Sequence, residues 1–175
     1  MDGMVLEIFA LSILRTGPVH GYELKRRVQR PSLTPLSNNS LYPMLRRFEA
    51  DDLVTKTVEE QDGRPARNVY AITDAGRARL TQLLTELPAS LAASDEEFLV
   101  RLSFFGEIPP AHRRAILKAR EAVLDASRAQ IGTLLAESGG PGKPKWRTLV
   151  MEHALEINQR ERDWITELEK EMDDE

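Results

Sequence analysis

Two β-prone runs stand out in a chain that otherwise reads as helix. Residues 53–60 (LVTKTVEE) and 67–73 (RNVYAIT) flank QDGRPA, where Asp62-Gly63 is a strong turn signal. They predict a β-hairpin with a basic tip. Before it, residues 4–15 place Leu6, Phe9, Ala10, Ile13 and Leu14 on one helical face, and TGP ends that helix. A second helix follows over 21–30, with Tyr22, Leu24 and Val28 as its larger apolar or amphipathic positions. PSLTPLS then reads as a loop between two prolines, and a third helix occupies LSNNSLYPMLRRFEADDLV. After the hairpin, residues 73–84 read as a fourth helix that Thr73 or Asp74 can cap. Three helices, two strands and a helix within one half of the chain are the order of a winged helix-turn-helix.

The third helix contains Pro43, which in a helix interior removes a donor and clashes with the preceding turn. A start near residues 37–39, where Ser and Asn are favoured caps, moves the proline to the end of the first turn or just past it. Asn38, Asn39, Ser40 and Tyr42 then lie at the N-terminal end of the helix. In a helix-turn-helix that end points into the DNA major groove. Pro43 permits close approach and offers its ring to a thymine methyl, and Arg46 and Arg47 follow one turn on. Leu41, Leu45 and Phe48 form an apolar stripe that also fits an ordinary core helix. The two readings are compatible if the stripe faces inward and the polar residues outward.

Charge divides unevenly along the chain. Its net value of −4 comprises +1 for residues 1–86 and −5 for residues 87–175. Only the first half suits phosphate, so a boundary at 86/87 separates two expected roles. The absence of Cys excludes disulfides, thiol nucleophiles and Cys-ligated metal sites, and it fits a reducing cytoplasm. No apolar run reaches the ~20 residues of a membrane span, and the acidic start makes a poor signal peptide.

The second half predicts helices only. Ser94 and Glu97 have capping-box spacing ahead of Phe98, Leu99, Leu102 and Phe105. Residues 109–138 form one long helical segment with its prolines at the start, and GGPGKP breaks it from a last helix over 145–172. There Trp146, Val150, His153, Ile157, Trp164, Leu168 and Met172 recur at helical steps. Long apolar stripes need a partner; an antiparallel pair within the chain is expected to leave part of the two stripes bare, and a second copy of the chain would cover it. Trp146 and Trp164 are open to two readings: packing in a dimer core, or stacking on a flat ligand.

The ordered set GPVHGYEL, SLYPMLRRFEADDLV and GRPARNVYAITDAGRARL resembles PadR-type transcriptional regulators. The helical second half resembles the subgroup with a longer C-terminal domain that includes virulence-gene activators. The resemblance implies a mostly α protein: a winged helix with a two-stranded wing, then an all-helical dimerisation domain. It also implies a homodimer on a palindromic double-stranded DNA operator, usually a repressor, often tuned by a small aromatic or hydrophobic effector. Tyr42 is then expected at the DNA, with Asn39 and Ser40 beside it. Tyr22 and Lys25 suit phosphate, and Arg64 and Arg67 flank the wing turn. Phe98 and Leu102 join the last-helix residues in dimerisation or ligand binding. Many members carry glycine in the bend after the third helix, where this chain has Asp51-Asp52.

Enzyme chemistry finds no footing. His20, His112 and His153 lack metal-ligand spacing, GGPGKP lies between helices rather than after a strand, and no nucleophile–base pair stands out. No cofactor is expected. The competing readings are a winged-helix protein-interaction module without specific DNA binding and a small-molecule enzyme or carrier with its pocket in the helical half.

Overall fold

A computed structural model describes residues 3–29, 38–61, 64–138 and 145–174. The loop 31–37, the Asp62-Gly63 turn and the 139–144 break lie outside the described residues, as do the side chains of Asn38, Asn39 and Arg64. The chain divides into two compact units, Met1–Thr85 and Glu86–Glu175.

The first unit runs α1 (Gly3–Arg15), β1 (Val19–His20), α2 (Gly21–Val28), α3 (Asn38–Ala50), β2 (Val54–Gln61), β3 (Arg64–Ile72) and α4 (Asp74–Thr85). It is a winged helix, as the sequence order predicts, with one addition. The hairpin is joined by β1, giving an antiparallel sheet of order β1-β3-β2. Val19 pairs with Tyr70 and His20 with Val69. Two residues are too few to show alternation, so this strand exists only through its tertiary partner. A second difference lies in α1. Val5, Ile8 and Leu11 are fully buried along with Leu6, Ala10 and Leu14, while Phe9 and Ile13 are half-buried. A helix apolar on most sides is a central helix, not a surface one with a single stripe.

The bend after α3 explains why a glycine suits it. Asp52 is in the left-handed region at φ 55°. The Leu53 N–H donates to the Phe48 carbonyl at 2.8 Å and the Asp52 N–H to Glu49 at 3.3 Å. These two bonds make a Schellman cap, whose left-handed residue is usually glycine. Thr73 then caps α4: its Oγ accepts from the Gly76 N–H at 3.0 Å and donates to the Asp52 carbonyl at 2.6 Å. Gly76 is required for contact, since a Cβ there would sit 2.1 Å from the Leu53 carbonyl oxygen.

The second unit contains α5 (Asp95–Leu102), a 3-10 turn at Phe105–Glu107, α6 (Pro110–Ser138) and α7 (Lys145–Asp173). Arg114 pairs with Asp173, Arg120 with Glu161 and Arg128 with Gln159, so α6 and α7 run antiparallel. The Ser94 cap forms, its Oγ accepting from the Glu97 N–H at 3.3 Å. The Glu97 carboxylate does not close the capping box. It pairs instead with Arg101, and both side chains are fully buried. Leu99 of the predicted apolar face is therefore 47% exposed, and a charged pair occupies the interior. Arg101 also donates to the Glu86 and Glu97 carbonyls, which offsets part of its desolvation. Arg120 reaches Asp95, Glu161 and the Ala92 carbonyl, and its guanidinium lies 5.4 Å from the Phe98 ring centroid. Burial opposes its charge, yet Glu161 and Asp95 hold its pKa above the ordinary arginine value.

Asp52→Gly removes a Cβ from a left-handed position and is expected to stabilise the first unit by up to about 1 kcal/mol. A raised denaturant midpoint checks it; a lowered one would show that the Asp52 side chain supplies a contact of its own.

Candidate nucleic-acid interface

The outer face of α3 follows from its inner one. Leu41, Met44, Leu45 and Phe48 are buried, which turns Ser40, Tyr42, Pro43 and Arg46 to solvent. Pro43 is the sixth residue of the helix, just past the first turn. It removes the donor that would reach the Asn39 carbonyl, so α3 forgoes one intrahelical bond at the start of its second turn. Tyr42 is 41% exposed and Tyr22, on the first turn of α2, 73%.

These two tyrosines line a concavity of about 490 Å3 together with His20, Gly21, Glu23, Arg67, Asn68 and Tyr70. It joins the start of α2, the outer face of α3 and the wing strand β3. Gly21 permits the approach: a Cβ there would lie 3.2 Å from Cε2 of Tyr70 and 3.7 Å from Cε1 of Tyr42. The Tyr70 phenol is nearly buried, and burial, then Glu49 and Tyr42, raise its pKa against a small opposing effect of Arg46. It therefore stays a neutral O–H group at neutral pH. His20 places Nε2 at 3.9 Å from the Glu59 carboxylate of β2.

The predicted cations divide into two groups. Arg46 and Arg67 are exposed and Lys25 half-exposed. Arg47 is turned away from the outer face, and its guanidinium meets the carboxylate of Glu7 on α1. Glu7 is 7% exposed and takes Arg79 of α4 on its other oxygen at 3.2 Å. Arg26 and Arg27, two neighbours on α2, are paired with Glu23, whose carboxyl they hold below the usual range.

The predicted dimerisation or ligand residues also separate. Phe98 is buried and stands edge-on to Trp164, with ring centroids 6.3 Å apart. Trp164, Leu102 and Leu168 are half-buried. Trp146, Val150 and Ile157 are 76%, 68% and 51% exposed, and His153 lies beside them on the same stretch of α7. Leu149, at 43%, extends that stripe and was not singled out by the sequence reading. Nor were Glu7, Asn68 and Tyr70. For Glu7 a signal existed: a lone carboxylate inside the apolar run MVLEIFAL. Among the described residues no group of three or more His, Cys, Asp or Glu side chains is placed to hold a metal ion. No helix among them is long and apolar enough to cross a membrane.

Comparison with known proteins matches the first part of the chain to a family. Residues 10–82 match the transcriptional regulator PadR-like family. "Probable transcriptional regulator Rv1176c" of Mycobacterium tuberculosis is 27% identical over 164 residues, covering 85% of this chain and 87% of that protein. "Transcriptional regulator Rv3488" of the same organism is 45% identical over 64 residues, 37% of this chain and 58% of the relative. Among solved structures, Bacillus subtilis PadR in complex with operator DNA is 17% identical with a TM-score of 0.45, covering 94% of this chain and 96% of that one. The protein smu.1604c from Streptococcus mutans is 24% identical with a TM-score of 0.42, covering 92% and 96%. The domain at residues 10–82 is thus one that matches the PadR-like family of transcriptional regulators.

Proposed function

We propose that the protein is a cytoplasmic, homodimeric repressor that reads a palindromic operator with its first unit and dimerises through its second. The observation that carries this reading is the outer face of α3. Ser40, Tyr42, Pro43 and Arg46 are presented to solvent by a helix whose opposite face is fully buried, and Tyr22 and Arg67 flank them. Asn38 and Asn39 precede them in the same helix, and Arg64 opens the wing strand. Two copies of α3 would enter successive major grooves about 34 Å apart. Tyr22, Lys25 and the wing arginines would fix register on phosphate, and the α3 tip would supply base contacts.

The dimer reading rests on α7. Trp146, Leu149, Val150 and Ile157 recur at steps of three, one and seven residues, and all are exposed. Such a stripe matches the seam that a second amphipathic helix would cover. This fits the long C-terminal subgroup of the family. A small aromatic or hydrophobic effector would act there, and it can shift DNA affinity only by binding two dimer shapes unequally. The exposed Trp146 ring, with the Lys145 ammonium 5.8 Å away, offers a stacking surface for it.

The deciding experiment is salt-titrated binding to the protein's own upstream intergenic DNA, with scrambled DNA as control. Preference for the upstream fragment at about 0.15 M salt, with affinity falling steeply as salt rises, supports the regulator. Equal, salt-insensitive binding to both would favour a protein-interaction module. Tyr42→Ala is expected to lower specific affinity about five- to 150-fold, the ~1–3 kcal/mol of one good base contact, while the dimer persists. Loss of the fold in that variant would count against a DNA role for Tyr42. Val150→Asp puts a charge into the expected seam and should yield monomers by sedimentation; an unchanged dimer would move the interface elsewhere.

A further inference from the structure

The DNA-facing helix carries two adjacent arginines, yet only one of them is free to meet DNA. Arg46 lies four residues after Tyr42 and three after Pro43, so it shares their outward face. Arg47 lies three residues after the buried Met44, at the shoulder of the helix. Its guanidinium is held by Glu7, although its side chain remains 53% exposed. Glu7 is an unusual tenant of α1: a carboxylate between the buried Leu6 and Ile8, its own side chain only 10% exposed. Burying such a charge is costly unless both oxygens are satisfied. Arg47 takes one and Arg79 the other, and Arg79 is held in turn by Gln82 at 2.9 Å.

We infer that Glu7 is a specificity-determining residue, which keeps Arg47 off the phosphate backbone. This rests on the DNA-binding reading above and adds a restraint to it. A guanidinium released beside a DNA-reading helix adds affinity for any sequence, because phosphate contacts carry no sequence information. Sequestering Arg47 leaves base contacts at Ser40, Tyr42 and Pro43 a larger share of the binding free energy. The same ion pair ties α3 to α1, so the helix keeps its angle while it reads. Glu7→Gln preserves shape but removes the negative charge. Two guanidinium groups then share one neutral amide, and the more exposed one, Arg47, swings out.

The test compares wild type, Glu7→Gln and Glu7→Gln/Arg47→Ala by salt-titrated binding to scrambled DNA and to the upstream fragment. Glu7→Gln should steepen the salt dependence on scrambled DNA by about 0.9 in log–log slope per protomer engaged. It should also raise affinity for that DNA severalfold and lower the preference for the upstream fragment. The double variant should return the slope to the wild-type value. A merely structural role predicts something else: weaker binding to both fragments at an unchanged slope, which overturns the inference. Should Glu7→Gln fail to fold, the Arg47 side-chain Nε–H resonance of wild type decides. It should keep its chemical shift on DNA addition while that of Arg46 moves; parallel shifts of both overturn the inference. Absence of any salt-dependent wild-type binding would overturn the regulator reading itself, and wild-type binding with unaltered variant slopes only the role of Glu7.

Discussion

The first unit depends on one hydrogen-bonded bend. At Asp52 and Leu53 the end of α3, the start of β2, the end of β3 and the start of α4 meet within a few ångströms. Leu53 donates to Phe48 and accepts from the Thr73 N–H at 3.1 Å, while the Thr73 hydroxyl closes onto the Asp52 carbonyl. Gly76 lets the first turn of α4 rest on the Leu53 carbonyl. Because the bonds are backbone bonds or one-atom side-chain reaches, they leave little room for α3 to rotate against the wing. That rigidity gives Tyr42 on α3 and Arg67 on β3 a fixed separation across the concavity they share. A concave surface built from two elements keeps its shape only through such a joint, since affinity is lost to any ordering that must occur at binding.

The second unit solves a different problem by different means. Two long amphipathic helices can slide past each other at small cost if their contact is purely apolar. Here Arg120 fixes the register, with Glu161 across from it on α7 and the Ala92 carbonyl and Asp95 on the segment before and within α5. Asn158 adds a second peg, donating to the Leu124 carbonyl at 2.8 Å. Buried ion pairs contribute little net stability compared with apolar packing, but misaligned alternatives would leave these charges unpaired. Arg101 does the same for α5, its Nε–H donating to the Glu86 carbonyl on the segment before the helix. The result is a polar lattice inside an α-helical body, with the apolar residues of the first half of α7 left on the outside.

Much of this was legible in the sequence, and the exceptions share a cause. The helix order, the hairpin, the Thr73 and Ser94 caps and the inward stripe of α3 all rest on local chemistry, which periodicity and residue type encode directly. The strand at Val19–His20 does not, because its only stabilisation is pairing with residues fifty positions away. Nor does the burial of Glu97 and Arg101, whose helical spacing looks like an ordinary solvated pair until Glu86 is seen to cap it. At the candidate interface the exposed residues of α3 were predictable from their buried neighbours. The capture of Arg47 was not, since Glu7 lies forty residues earlier. The aromatic residues of α7 looked equivalent in sequence, yet Trp164 is half-buried edge-on to Phe98 and Trp146 is bare.

That last asymmetry has an optical consequence. Both tryptophans of the chain, Trp146 and Trp164, lie in the second unit, so tryptophan emission originates there. Trp164 is half-buried with its ring edge-on to Phe98, whereas Trp146 faces solvent. The emission therefore combines a bluer component from a half-buried indole with a redder one from a hydrated indole. Anything that covers the first turn of α7 will move the red component alone, and the protein carries its own two-colour gauge of what that surface touches.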